Sequence, residues 1–312
     1  MQNTKQQHTA TSPLDFTKRG YWNIAKRVYR KMEQDNLSLI SAGVAFYFLL
    51  AIFPLIAALV SLYGFFVSAD DLEKHMQHLV GIVPYESRYI LEEQIAQVSS
   101  KSQTTLGIGF LVSILLAIWS GGKGSQALMT ACNITYNETS SRPFWLKILM
   151  RLALTLCAIM ILLIALGTIT IMPMLIDSLA GVTLSEQQAK WLTWPVLIVL
   201  FQFSLAALYR YAPSRRKAKW RWVTSGSTLA TLLWISATYG FSYYLSHFAK
   251  YNETYGSIGG VIILLMWFYL SAYIILFGAE FNSAMERQTH KDSTIGEDKP
   301  IGKRGAYVAD NK

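Results

Sequence analysis

The stretch LSLISAGVAFYFLLAIFPLIAALVSLYGFFV, residues 37–67, runs for 31 positions without an Asp, Glu, Lys, Arg or His. A tilted helix needs about 20 apolar residues to cross roughly 30 Å of hydrocarbon. The run is therefore long enough to span a bilayer, and it lacks the strict alternation of a barrel strand. Hydrocarbon offers backbone N–H and C=O groups no water, so a helix that bonds its own groups is the expected form.

Five further long stretches carry almost no charge, over residues 104–136, 148–176, 191–209, 222–248 and 255–279. Each is read as a span, which makes the chain an all-α, polytopic membrane protein of six transmembrane helices. Residues 37–285 form that membrane domain, residues 1–36 and 286–312 are polar tails, and no room is left for a soluble catalytic domain.

Charge orients the spans. The N-terminal tail holds seven Lys/Arg, the connection around residues 137–147 with its flanks four, the connection after residue 209 six and the C-terminal tail six, against three, one and one elsewhere. With 23 of 28 basic residues on one side, the positive-inside rule places both termini in the cytoplasm. The net charge of +9 is then mostly this orienting excess, and nucleic acid is not an expected partner.

The first 36 residues have no apolar h-region and the first span is too long for a signal peptide, so it is expected to stay uncleaved. Cys132 and Cys157 lie in apolar helical sequence, where packing is a better reading than a disulfide or a metal framework. His8, His75, His78, His247 and His290 make no zinc motif. No catalytic, cofactor or metal site is expected.

Around the spans, Tyr21, Trp22, Ile24, Ala25, Val28, Tyr29 and Met32 recur at helical spacing opposite Lys26, Arg27, Arg30 and Lys31. This predicts an amphipathic helix lying on the inner leaflet. Residues 68–103 contain two amphipathic pieces separated by Pro84, which predicts a helical loop on the outer face between spans 1 and 2. The tail after Arg287 mixes charges of both signs with Gly, Thr and Asp, and its composition predicts disorder.

Several residues are candidates for function, each with a plainer reading. Glu280 closes the last apolar helix together with Asn282, as a proton or substrate relay at the inner mouth or as an interfacial acid paired with an Arg. Lys123 sits in Ser120-Gly121-Gly122-Lys123-Gly124-Ser125, where a broken helix could free backbone groups for an ion or an anionic head group; a snorkelling lysine is the alternative. The segment is not a phosphate loop, since Gly124 follows the lysine.

Thr224, Thr228, Thr231, Thr238 and Ser242 form a hydroxyl stripe along span 5, either lining a polar pathway or bonding helix carbonyls and neighbouring helices. Arg210, Arg215, Arg216, Lys217, Lys219 and Arg221 form a basic cluster beside the inner leaflet, expected to touch anionic phospholipid head groups. Pro54 is expected to kink span 1. Lipid and further copies of the same chain are the candidate partners.

Three motifs add a resemblance. Asp35-Asn36-Leu37-Ser38 leading into Ala45-Phe46-Tyr47-Phe48-Leu49-Leu50-Ala51-Ile52-Phe53-Pro54, then Ser141-Arg142-Pro143-Phe144-Trp145, then Tyr251-Asn252-Glu253-Thr254-Tyr255-Gly256-Ser257-Ile258-Gly259-Gly260 running on to Gly278-Ala279-Glu280-Phe281-Asn282, together resemble the YihY/virulence factor BrkB family of bacterial inner-membrane proteins. The resemblance implies a six-helix membrane fold, a bacterial inner membrane and links to envelope integrity. Some members carry a ribonuclease BN label, but no clustered His and Asp ligands for a metal-dependent nuclease stand in this sequence. Two functions stay open: a transporter or lipid-translocating protein, and a non-transporting structural scaffold of the membrane.

Overall fold

The computed structural model describes residues 13–66, 103–140, 142–180, 186–248 and 257–311. Among them, six long helices occupy the expected runs: α2 (Leu37–Phe66), α3 (Gln103–Thr135), α4 (Phe144–Ala180), α5 (Glu186–Tyr211), α6 (Trp220–Phe248) and α7 (Ser257–Glu286). A shorter helix α1 (Lys18–Gln34) precedes them and a single turn α8 (Tyr307–Asp310) follows. The described residues contain no strand, only an isolated bridge between Ala218 and Thr294. The outer-face loop expected between spans 1 and 2 lies outside the described residues.

Four of the long helices are apolar enough over their length to cross a membrane: α2, α4, α5 and α7. Their apolar side chains point outward. In α4 only 6% of the most apolar window, within Phe144–Ile169, is buried. Water would make such a surface unstable, whereas lipid tails solvate it, so the surroundings of these helices are hydrocarbon. Helices α3 and α6 are as long but carry more Gly, Ser and Thr.

Helix α3 runs unbroken through Ser120–Ser125, which corrects the expectation of a broken span and of free backbone beside Lys123. The hydroxyl of Ser120 turns back onto the Leu116 carbonyl at 2.8 Å. Gly124 keeps the helix close to Phe48, since a Cβ there would stand 3.1 Å from that ring. The glycines thus serve close approach of helices rather than unwinding. Helix α2 likewise continues through Pro54.

The chain divides into two compact units. One comprises residues 42–127 and 238–270, and its described contacts are aromatic: Phe48 meets Phe268 edge-on at 6.1 Å, and Phe241 meets Trp267 at 5.3 Å. The other comprises residues 1–41, 128–237 and 271–312, and it holds nearly all of the buried polar chemistry.

In that second unit α1 starts at the cap of Thr17, whose hydroxyl accepts from the Gly20 N–H at 3.3 Å. Its apolar residues divide between two faces. Ile24 and Val28 pack with Phe16, Trp222, Ala284 and Met285, while Trp22 and Tyr29 are 63% and 75% exposed on the opposite side. The helix is therefore docked on protein as well as offering an aromatic face, because Trp222 and Met285 provide an apolar partner that lipid alone was expected to supply.

The polar tail is ordered, against the disorder expected from its composition. Its backbone bonds to the α5–α6 connection: Arg216 N–H to Gly305 O at 2.8 Å, Lys219 N–H to Ser293 O at 2.8 Å, and Ile295 N–H to Lys217 O at 2.9 Å. Buried Arg304 donates to the carbonyls of His290, Lys291, Lys299 and Ala309, and Asp310 accepts from the N–H groups of Gly302, Arg304 and Gly305. Composition overlooks this because two charged side chains satisfy seven backbone groups locally, leaving few that need water.

Candidate functional site

The inner end of α7, from Gly278 to Glu286, is where the expected and the unexpected residues meet. The crossing of α6 and α7 is made by two glycines. A Cβ on Gly226 would lie 2.3 Å from the Gly278 carbonyl, and one on Gly278 would lie 2.5 Å from the Tyr209 hydroxyl. That hydroxyl donates to the Ile275 carbonyl at 2.7 Å, tying α5 to the same place.

Asn282 seals the crossing. Its Oδ1 accepts from the Gly226 N–H at 2.7 Å and its Nδ2 donates to the Val223 carbonyl at 3.1 Å. The side chain is buried and spends both ends of its amide on α6 backbone, which is the behaviour of a helix clamp.

The hydroxyl stripe of α6 is largely turned on its own helix. Thr224 donates to Trp220 O, Thr228 to Thr224 O and Thr231 to Ser227 O, at 2.8–2.9 Å. Thr228 also accepts from Gln202 of α5 at 2.9 Å. Thr238 is half-buried and Ser242 exposed, in the other unit of the fold. Lys123 is exposed and also belongs to that other unit.

The basic cluster disperses. Arg215, expected at the lipid surface, is instead buried: its guanidinium holds both oxygens of Glu286 at 2.7 and 2.9 Å and lies 4.1 Å over the Tyr136 ring. Burial opposes the charge on Arg215, and Glu286 more than offsets it, so this arginine keeps its proton more tightly than in water. Ser293 of the tail adds a third hydrogen bond to Glu286 at 2.8 Å. Lys219 reaches Asp298 at 3.0 Å, and Arg216 stands 4.0 Å from Asp292. Of the residues expected at head groups, Lys217 and Arg221 are exposed.

Burial alone would raise the Asp292 carboxyl. The N–H groups of Lys299 and Thr294, the Thr294 hydroxyl and the nearby Arg304 reverse this and hold it below the usual carboxylate range. Arg142, from the second sequence motif, donates to the carbonyls of Tyr211, Ala212 and Pro213 at 2.7–3.2 Å and so caps the C-terminus of α5. Burial lowers its pKa from the usual arginine value.

Glu280 is different. It is 0% exposed, and among the described residues no hydrogen-bond donor reaches either carboxylate oxygen. The ionisable groups facing it are Asp35, Lys31 and Arg287. Asp35 caps the end of α1, where its carboxylate lies 2.6 Å from the Lys31 ammonium, and Asn36 follows it in the left-handed conformation at φ 50°. Asp35 was visible in the first motif only as a residue; its place opposite Glu280, 245 positions away, carries no local signal. Among the described residues no three His, Cys, Asp or Glu side chains come together to hold a metal ion.

Comparison with known proteins agrees with the motifs. Over 272 residues, 83% of this chain and 92% of the other, the sequence is 32% identical to a Bacillus subtilis protein named as ribonuclease-like, YfkH. It is 27% identical over 281 residues to a UPF0761 membrane protein of Tolumonas auensis, covering 82% of this chain and 83% of that one, and 26% identical over 267 residues to one of Psychromonas ingrahamii, covering 83% and 86%. No solved structure matches. Residues 28–301 match the virulence factor BrkB family, a region that takes in Asp35, the α6–α7 crossing, Glu280 and most of the docked tail. The chain is a membrane protein and belongs to the virulence factor BrkB family.

Proposed function

We propose that this protein is a six-span protein of the bacterial inner membrane with both termini in the cytoplasm, and that it moves a substrate or lipid across or within that membrane. It is not an enzyme in this reading, and nuclease activity forms no part of it. The orientation is supported by the 23 basic residues gathered on one side. Head groups of anionic phospholipids meet Lys217 and Arg221, and also the face of α1 on which Lys26 lies 5.4 Å over the exposed Trp22 ring.

The observation that carries a functional role beyond anchoring is Glu280. A fully buried carboxylate without a donor costs more free energy than any neutral residue of that shape, so packing alone gives no reason for it. Replacing it tests the idea. Glu280→Gln is expected to insert and accumulate normally yet fail to complement an envelope-sensitivity phenotype of a strain lacking the protein, while Glu280→Asp retains part of the function. Full complementation by the Gln variant would overturn the reading. A reporter active only outside the cytoplasm should be active after Ser100 or Lys250 and silent after Lys217 or Lys312.

A second reading, a non-transporting scaffold, is favoured by the glycine crossing and the Asn282 clamp, which fasten α5, α6 and α7 together at one level. Water access to cysteines placed along α6 separates the two. A hydrated path labels a stripe of positions, and a scaffold leaves the stripe unlabelled.

A further inference from the structure

We propose that the C-terminal end of α5 and the start of α6 form a site for one anionic phospholipid, its phosphate held by Arg210 and Lys217 and an acyl chain lying along Phe203 and Val199. The inference deepens the head-group contact of Lys217 given above and rests on it.

The α5–α6 connection sorts its cations into two sets. Arg215, Arg216 and Lys219 face the acids Glu286, Asp292 and Asp298 at 2.7, 4.0 and 3.0 Å. Arg210, Lys217 and Arg221 pair with no acid among the described residues. Two of these three meet on one ring: the Lys217 ammonium lies 4.8 Å and the Arg210 guanidinium 5.7 Å from the centre of Tyr211. Arg210 also stacks over Trp220 at 4.5 Å, and Trp220 stacks on Phe203 at 5.6 Å. Aromatic faces attract each cation, but like charges gathered at one ring repel one another. A shared anion is the partner this arrangement lacks.

Helix capping does not account for Arg210. The carbonyls of Tyr211, Ala212 and Pro213 at the end of α5 are already taken by Arg142. Nε and Nη1 of Arg210 are covered by protein and reach no acceptor among the described residues, so much of the guanidinium is desolvated with no counter-charge to answer it. The side chain as a whole is half-buried, which leaves it accessible to an anion beside the helix.

Position selects a lipid over free phosphate. Residues Thr193–Tyr211 of α5 are apolar enough to cross a membrane, and Arg210 stands in the last turn of that helix. Phe203 and Val199, 60% and 64% exposed, lie seven and eleven residues before Arg210, about two and three turns back on the same face. A phosphate at Arg210 therefore sits where the span ends, and its acyl chain has about 16 Å of exposed apolar surface to follow. A zwitterionic lipid brings an ammonium of its own, which the two cations repel, so the head group that fits carries net negative charge.

Native mass spectrometry of the full-length protein in detergent, titrated with phosphatidylglycerol or with phosphatidylethanolamine of the same acyl chains, counts bound lipids and ranks their affinities. The wild-type protein should hold one phosphatidylglycerol more tightly than further copies and more tightly than phosphatidylethanolamine. Lys217→Gln and Arg210→Gln should each weaken that first lipid about fivefold, the worth of one charge beside a head group, while Arg221→Gln leaves it unchanged. Lys217 is exposed, so its variant keeps the test decisive if Arg210→Gln fails to accumulate. An unchanged first lipid in Lys217→Gln overturns the proposal. Equal weakening by Arg221→Gln also overturns it, but leaves the broader head-group contact standing, because the attraction is then diffuse. Equal binding of the two lipids by the wild-type protein removes both. Displacement of the bound lipid by inorganic phosphate would make this a site for a free anion and overturn the lipid assignment.

Discussion

Helix α7 carries two carboxylates six positions apart, Glu280 and Glu286, and both are at 0% exposure. Glu286 has everything a buried charge requires: two guanidinium N–H donors, a serine hydroxyl and a cation stacked on an aromatic ring. Glu280 has none of these. The satisfied acid is architecture, because its partners fix the α5–α6 connection, the end of α7 and the tail in one arrangement. The unsatisfied one is held in place by a fold that gains nothing from its charge, which makes it the candidate for function of the two.

Removing a partner from the satisfied acid should have the largest effect. Arg215→Ala leaves Glu286 buried and uncompensated, at a cost of about 3–5 kcal/mol. Thermal unfolding in detergent should show a markedly lowered midpoint, and limited proteolysis should cut the tail after Arg287. Glu280→Gln should leave the same midpoint within about 1 kcal/mol of wild type, since a neutral isostere removes an unmet charge. If the two variants were equally destabilising, the distinction between the two acids would collapse.

Acid sharpens the same comparison through the tail. The Asp292 carboxyl titrates lower when folded than when free, where an aspartate has a pKa of about 3.9. Its contribution to tail docking is therefore complete above that value and is lost as pH falls through the lower folded one. Proteolytic cutting after Arg287 should rise at that pH in the wild-type protein and be already raised near neutrality in Asp292→Asn. An unchanged cutting rate would mean that the tail does not depend on this carboxylate.

The glycine crossing of α6 and α7, just ahead of the two acids on α7, comes next in size. Gly226→Ala would put a Cβ 2.3 Å from a backbone carbonyl, which cannot move as the tip of a side chain can. Overpacking of this kind costs about 1–3 kcal/mol. Gly240→Ala, with nothing within 4 Å of its added Cβ, is the control and should unfold at the wild-type temperature.

Much of this fold was legible in the sequence, and the reason is physical. Long runs with almost no charge have one common use, so six helices stand over the runs that hydropathy picks out. Their ends were not legible. Helix α7 continues past Ala279 to Glu286 because Asn282 and Glu286 find partners on α6 and the α5–α6 connection, and those pairings are 59 and 71 positions apart in sequence. The basic cluster shows the same limit. Six cations near a membrane read as one lipid-facing patch, yet whether a given one faces lipid or a buried acid depends on what folds over it. Arg215 met Glu286, and Lys217 did not. Glu280 and Asn282 were both legible as candidates, but only their surroundings distinguish the clamp from the unmet acid.

The smallest expected effect belongs to the hydroxyls of α6, and it decides whether they resemble Glu286 or Glu280. Thr231 is buried and its hydroxyl donates to the Ser227 carbonyl at 2.8 Å, a carbonyl on its own helix. Such a bond removes the hydroxyl's cost in an apolar setting and adds little of its own, since polar contacts within membrane bundles average about 0.6 kcal/mol. Thr231→Val keeps the shape and removes the hydroxyl, so both the unfolding midpoint and complementation should stay near wild type. Loss of complementation with an unchanged midpoint would show that the hydroxyl serves something that passes along α6, and would move Thr231 from the satisfied class to that of Glu280.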